Sequence, residues 1–349
     1  MRILTHNTHI PYIYLLSKIP GIELIVFSLR YKNRDWQNCY REKPKNVLHL
    51  AIDESDLFYN YLQIVNYDKI IINDFEFLQY LCDPKNPLFN QLQKIPKIFV
   101  FHNSLYVEYL NMPPEVINQQ VAQIRQLFAI GNVKPVFISR WKAESWQIPG
   151  TIILPGIDLE DFPKCWIGKN NNFKLGEKYL NYSLRVCSNF EHRDFMNGYK
   201  VSNTILSAIK QPAVILGENP QPKENMPFNI WQISQNFNHY KTLLSQARFL
   251  LSCNNPNFED FYNLSSLEAI AMGCPVIFTE HIRQTQYENF AKTFPITSNN
   301  IEFLQKECQK LFDNFDYAKH ISEGQAGFVE KNFSLSSFIM NWKSILEAK

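Results

Sequence analysis

Two carboxylates eight positions apart, Asp260 and Glu268, are the residues of this chain best spaced for chemistry. They lie in residues 249–279, FLLSCNNPNFEDFYNLSSLEAIAMGCPVIFT. The stretch reads as an apolar strand over 249–252, a polar loop ending in Glu259 and Asp260, and an aromatic turn of Phe261, Tyr262 and Asn263. A helix and a second strand over 275–278 follow. Ser265 and Glu268 stand at the serine-x-x-glutamate spacing of a capping box, which predicts the helix start; Gly273 and Pro275 predict its end. A strand that feeds a helix through a loop leaves the first N–H groups of that helix unpaired at the C-terminal edge of a parallel sheet, and such an edge binds anions. Carboxylates flanking it would accept hydrogen bonds from hydroxyls around the anion. Phosphate together with many hydroxyls describes a sugar nucleotide. The same residues also allow a plainer reading, with Glu268 as the capping partner of Ser265 and Asp260 as a solvated loop acid.

The run Asp260-Phe-Tyr-Asn-Leu-Ser-Ser-Leu-Glu268-Ala-Ile-Ala-Met-Gly-Cys-Pro-Val resembles the acid-x7-Glu signature of retaining GT-B glycosyltransferases of the large family-four group. That signature usually reads Glu-Gly-Phe-Gly-Leu-x-x-Leu-Glu-Ala-Met-Ala-x-Gly-x-Pro-Val. The match is specific from Leu264 to Val276; before it, Asp260 stands in place of Glu, and Phe261 and Asn263 in place of two glycines. The resemblance implies an α/β fold of GT-B type, two Rossmann-like doubly wound domains facing a cleft. It implies transfer of a sugar from a UDP or GDP donor to an acceptor hydroxyl with retention of configuration. Glu268 would hold the ribose hydroxyls, Asp260 the sugar hydroxyls, and the backbone of Phe261, Tyr262, Asn263 and Leu264 the sugar and phosphates.

The family also carries an Arg and a Lys after the first strand of its second domain to neutralise the diphosphate. In the loop 188–200, Arg193 is the first candidate, because a guanidinium can hold phosphate in a bidentate way, and Lys200 the second. A surface pairing of Arg193 with a neighbouring acid is the competing reading. Gly217, closing the strand 213–216, joins the donor-binding set. A family histidine on a later loop of the first domain faces the sugar, and His102 matches it, completing a catalytic set of Asp260, His102 and Arg193. The glycine pair that the family carries after its first strand is missing from His9-Ile10-Pro11-Tyr12.

The elements that position these residues alternate along the chain. Strand signals fall at 2–5, 22–29, 47–52, 69–72, 97–101 and 135–139, with helical segments between. Continuous apolar runs such as Ile70-Ile71-Ile72 and Ile98-Phe99-Val100-Phe101 predict strands buried on both faces of a parallel sheet. Polar residues cluster where those strands end: His6 and His9 after the first, Asn73 and Asp74 after another, His102 and Asn103 after the next. In this architecture ligands bind there, so His6, His9 and Asn103 are acceptor-side candidates. The alternation restarts at 184–187, 213–216 and 230–233, with a helix over 240–247.

The run 146–162 reads as an interdomain linker, and Pro155-Gly156-Ile157-Asp158 resembles the family's Pro-Gly-Val-Asp turn. The expected domains are 1–157 on the acceptor side and 158–334 on the nucleotide side. An amphipathic helix over 335–349, with Phe338, Ile339, Trp342, Ile345 and Leu346 on one face, is expected to pack back on the first domain. Residues 164–178, rich in Asn, Lys and Gly, predict an exposed loop.

A length of 349 residues suits two domains of similar size, and a net charge of +2 supplies no basic field for nucleic acid. Seven cysteines without a C-x-x-C pair predict reduced thiols and a cytoplasmic protein. No apolar run reaches the roughly 20 residues needed to span a bilayer, and Met1-Arg2-Ile3-Leu4 enters a strand directly, so no leader is expected. No Asp-x-Asp pair or His/Cys ligand spacing implies a metal, and no cofactor beyond the nucleotide sugar is expected. Partners would be that donor and a carbohydrate, lipid-linked or protein acceptor. Residues 31–45, mixing Lys32, Arg34, Arg41, Lys43 and Lys45 with Tyr31, Trp36 and Tyr40, suit a peripheral membrane or acceptor contact, or a solvated loop. Two other functions stay open: a nucleotide-sugar epimerase of the same fold, and a non-catalytic GT-B partner subunit.

Overall fold

The computed structural model describes residues 1–27, 36, 41–50, 66–85, 89–169, 174–175, 178–179, 181–187, 193–209, 211–217, 229–232, 234–280 and 298–348. Most of the basic and aromatic run 31–45, and all of the loop 188–192 before Arg193, lie outside these residues. The chain divides into two units, Met1–Gly156 with Ser336–Lys349, and Ile157–Leu335.

The first unit is built on strands β1 (Arg2–His6), β2 (Glu23–Phe27), β3 (Val47–Leu50), β4 (Lys69–Ile72), β5 (Lys97–Phe101), β6 (Val133–Phe137) and β7 (Thr151–Ile152). They form one parallel sheet in the order β3-β2-β1-β4-β5-β6-β7. Helices α1 (Ile10–Ser17), α2 (Phe75–Cys82), α3 (Phe89–Leu92), α4 (Leu105–Glu108), α5 (Pro114–Gly131) and α6 (Arg140–Trp146) connect them. The unbroken apolar runs of β4 and β5 are buried on both faces, as a parallel sheet covered on each side requires. Phe99, Phe101, Phe137 and Trp146 pack in one aromatic cluster beneath α5 and α6. Strand β6 ends two residues before the expected 139, because Ser139 instead caps α6 and accepts the Lys142 N–H.

The second unit holds a short antiparallel ribbon, β8 (Lys174–Leu175) with β9 (Lys178–Tyr179), then β10 (Ser183–Val186), α7 (Asp194–Asn197), α8 (Tyr199–Ser207), β11 (Ala213–Leu216) and β12 (Asn229–Gln232). Helix α9 (Phe237–Gln246), β13 (Phe249–Ser252), α10 (Leu264–Met272), β14 (Val276–Phe278), α11 (Ile301–Asp313) and α12 (Phe315–Asn332) complete it. Its sheet is also parallel, in the order β12-β11-β10-β13-β14. The described part of 164–178 is not a free loop. Trp166 stacks on Phe315 at 5.4 Å and its indole donates to the Ala247 carbonyl, while Cys165 and Trp166 N–H groups bond Met272. One large aromatic side chain with a donor is enough to draw that segment onto the unit.

The last helix, α13 (Leu335–Glu347), belongs to the first unit. Its buried face of Phe338, Trp342 and Leu346 meets Tyr12 of α1 edge-on, with Phe338 at 5.9 Å and Trp342 at 6.5 Å.

Candidate functional site

In each sheet the strand order reverses once, between β1 and β4 in the first unit and between β10 and β13 in the second. Beyond the carboxyl ends of the strands at such a reversal, the connections leave to opposite faces and open a crevice. Both units have a cleft at that point. In the second it is lined by Cys187 after β10, by Cys253 and Asn254 after β13, and by Asn263 and Ser265 at the start of α10.

Helix α10 begins two residues earlier than serine-x-x-glutamate spacing predicts. Asn263, in extended backbone, is the cap: its side chain accepts the Ser266 N–H and the Ser266 hydroxyl accepts the Asn263 N–H. Glu268 is therefore released from the expected capping role with Ser265 and lies in the second helical turn, where it is buried and accepts a 2.6 Å hydrogen bond from the Tyr240 hydroxyl of α9. Asp260 is not a solvated loop acid; it is 3% exposed, and its backbone carbonyl accepts the Asn254 side-chain amide. The aromatic pair that follows turns inward: Phe261 stacks on Phe278 at 4.3 Å and Tyr262 meets Phe333 edge-on at 4.7 Å. What residues 261–264 can offer a ligand is thus backbone, with the Asn263 N–H already committed to its cap. Gly273 closes the helix in the left-handed conformation, φ 88°.

Arg193 and Lys200 are both exposed and flank α7. Lys200 lies 4.0 Å from Asp194 across the helix start. Burial pushes the Cys187 thiol up to about 12, with Arg193 opposing the rise and Glu259 adding to it, so both side chains act electrostatically at the cleft. The Asn197 amide reaches the Cys187 sulfur at 3.0 Å, and Asn255 ties this segment down through the Phe195 and Met196 carbonyls. Gly198 has φ 61°, and a Cβ there would sit 2.2 Å from the Cys253 carbonyl, so only glycine lets α7 and α8 approach β13 this closely. Gly217 lies one strand away, where its N–H bonds the Gln232 carbonyl.

A residue that sequence reading passed over sits inside this unit. Arg185 of β10 is fully buried and donates to Ser202, Asn203 and Asn229, joining β10 to α8 and β12. Burial lowers its pKa to about 10, still a charged guanidinium at neutral pH. No local spacing marks it; an Arg inside an apolar strand is the one signal available.

The first unit gathers the strand-end residues His6, His9, Asn73, Asp74, His102 and Asn103. His9, Asn73, Asp74, His102, Asn103 and Glu108 line a cleft of about 160 Å³ whose apolar wall includes Phe75, Phe99 and Phe101. His6 is buried behind it, 2.7 Å from Asp74 through Nδ1. Burial alone would raise the Asp74 pKa, yet the hydrogen bond and charge of His6, the Phe77 N–H and His9 together hold it below the usual value. His102 contacts His9 ring to ring at 4.2 Å and Tyr12 edge-on at 4.8 Å. Burial, then the charges of His9 and Lys142, hold its pKa well below 6.5, so it is neutral at pH 7. Asn103 donates to Glu108 at 2.6 Å, and burial raises the Glu108 pKa. Glu108 and Tyr12 are partners that strand-end inspection did not single out. Among the described residues no group of three or more His, Cys, Asp or Glu side chains could hold a metal ion, and no helix is long and apolar enough to cross a membrane.

No family model and no curated protein matches this sequence. Solved structures do share its fold along nearly the whole chain. An α-glucosyltransferase in complex with UDP-glucose and DNA containing an abasic site superposes with a TM-score of 0.65 at 13% identity, covering 100% of this chain and 99% of that one. HepE from Anabaena, in complex with UDP-glucose, gives 0.64 at 12% identity, with 99% of each chain covered. A glycosyltransferase from Rickettsia africae gives 0.61 at 14% identity, covering 99% of this chain and 97% of that one. The architecture is therefore GT-B: α/β, with two Rossmann-like parallel-sheet units.

Proposed function

We propose that this chain is a glycosyltransferase that moves a sugar from a nucleoside diphosphate donor, UDP or GDP, to an acceptor hydroxyl. The observation that carries the proposal is the site of the second unit. Two buried acids, Asp260 and Glu268, bracket the N-terminus of α10 at the point where the strand order reverses. UDP-glucose is bound by two of the structures that share the fold.

Glu268, steadied by Tyr240, takes the ribose hydroxyls, and Asp260 takes hydroxyls of the transferred sugar. The backbone of 261–264 and the start of α10 face the phosphates. Arg193 and Lys200 neutralise the leaving diphosphate, which is electrostatic stabilisation by fixed donors rather than by a metal ion. Retention of configuration follows the acid-x7-Glu resemblance. His102, with His6, His9 and Asn103 around it, forms the acceptor side in the first unit. A cytoplasmic location with peripheral membrane contact through residues 31–45 accompanies this reading.

Transfer assays with a panel of UDP and GDP sugars, with products followed by NMR, test it. Asp260→Ala is expected to lower turnover by on the order of a hundredfold, the scale of losing one preorganised polar contact. Unchanged transfer would remove Asp260 from the mechanism, and an isomerised donor formed without any acceptor would make the protein an epimerase. One observation favours a second reading, a nucleotide-binding subunit without transfer: the Asn263 N–H, which stands where the family has glycine backbone near the donor, is engaged by Ser266. Nucleotide binding without transfer to any acceptor would select that reading.

A further inference from the structure

The amino-terminal edge of the second sheet holds a cation that donor binding does not use. Arg248 enters β13 from the end opposite Cys253 and Asn254, and its N–H bonds the Tyr182 carbonyl. The residue is 6% exposed, and among the described residues its Nε and Nη1 are buried without a hydrogen-bond partner. Burial lowers its pKa, and no carboxylate among those residues opposes the shift. A guanidinium keeps its proton at neutral pH, so the buried charge is not relieved by neutralisation. Such a charge is destabilising until a counter-charge meets it, and buried polar groups are normally satisfied.

Other groups converge on the same place. The guanidinium lies over the Phe315 ring, 5.3 Å from its centre, and Lys169 Nζ lies 5.2 Å from that centre, so two cations share one side chain. Phe315 is the first residue of α12, an 18-residue helix capped by Asn314, whose side chain takes the Tyr317 N–H. The N–H groups of Phe315 and Asp316, ahead of Tyr317, have no intrahelical acceptor, and the positive end of the helix dipole falls there. The segment that carries Lys169 is fastened down, because Trp166 stacks on Phe315 and the Ile167 and Gly168 N–H groups bond the Ser245 carbonyl. Asp313 and Asp316 are exposed, and Asp313 accepts from Gln309.

Two cations beside a helix N-terminus select an anion carrying more than one negative charge. A monocarboxylate offers two oxygens in one plane. A phosphate group offers three, enough to meet the guanidinium, the ammonium and a backbone N–H together. We propose that Arg248, Lys169 and the first turn of α12 form a second anion site, for a phosphate group, at the end of β13 opposite the donor crevice.

Full-length protein labelled with ¹⁵N-arginine reads this site through the Arg248 Nε–Hε signal, identified by its loss in Arg248→Met. Inorganic phosphate is expected to move that signal saturably, and acetate at equal ionic strength to leave it in place. Lys169→Gln is expected to weaken the phosphate response by roughly threefold, the scale of one exposed ion pair. Thermal melts add a readout that a packing role would not move. In chloride, Arg248→Met is expected to melt no lower than the wild type, since it removes an uncompensated buried charge and keeps an apolar stem over Phe315. In phosphate at the same ionic strength the wild type is expected to melt higher than the variant. Arg193→Ala is expected to retain the Arg248 response, which separates this site from the donor crevice and lets either fail without the other. An Arg248 signal indifferent to phosphate, or moved as strongly by acetate, or lost in Arg193→Ala, overturns the proposal. So does a deficit of Arg248→Met that is the same in chloride and in phosphate.

Discussion

At the scale of single residues, the candidate groups are held by partners distant in sequence. The Tyr240 hydroxyl bonds Glu268 across 28 positions, and Asn73 reaches Thr5 and His102 across 68 and 29. Tyr240→Phe leaves a buried carboxylate without that donor, at a cost of about 1–3 kcal/mol in chemical denaturation. The dissociation constant of whichever nucleotide binds, UDP or GDP, is expected to rise in the same variant, and a variant that loses neither quantity would show that Tyr240 does not steady Glu268. His102 yields a pH dependence whose sign follows from linkage. Its pKa is lowered in the folded chain by burial and by His9 and Lys142, so below about 6.5 the unfolded chain takes up a proton that the folded chain does not. Stability is therefore expected to fall as pH drops from 7 toward 5, and His102→Gln to flatten that fall in thermal melts. Asp74 acts in a lower window: its depressed pKa contributes stability above the unfolded value near 3.9, lost as pH falls further. The spacing and context of Asp260 and Glu268 mark them as candidates, but the Tyr240 hydroxyl that bonds Glu268 has no local signature. No local pattern encodes a hydrogen bond that exists only once α9 has packed on α10.

At the scale of elements, local signals place the strands well and the helix starts less well. Runs such as Ile70-Ile71-Ile72 leave no alternative to a strand buried on both faces, and the observed β4 and β5 coincide with the expected spans. The start of α10 is a case where two caps compete in the sequence. Asn263 with Ser266 and Ser265 with Glu268 both have the spacing, and the outcome depends on the extended backbone of Asn263 (φ −127°, ψ 172°), which only the aromatic turn before it determines. With Phe261 and Tyr262 anchored inward, the chain enters the helix at 264 and Glu268 becomes available for another partner. Helix α13 makes a testable contribution of its own. Trp342 is fully buried against Tyr12 and Phe338, so Trp342→Ala is expected to cost about 3–5 kcal/mol, as large-to-small changes in a packed core do. Calorimetry should show that loss in the transition of the first unit. A loss confined to the second unit would contradict the placement of α13.

At the scale of the whole molecule, one architectural device occurs twice. Each unit is a parallel sheet with a single reversal of strand order, and each carries its polar residues at the strand ends beside that reversal. The chemistry of the two clefts differs. That of the second unit lies at a helix start with Arg193 acting electrostatically on its lining Cys187; that of the first is lined by Asp74, Glu108, His9 and His102. This division of labour, donor in one unit and acceptor in the other, is the central claim. The most direct measurement is isothermal titration of the full chain with UDP and with GDP, for the wild type and for Glu268→Ala. One of the two nucleotides is expected to bind the wild type and to bind the variant at least tenfold more weakly. No binding of either nucleotide, or equal binding by the two proteins, would contradict the account.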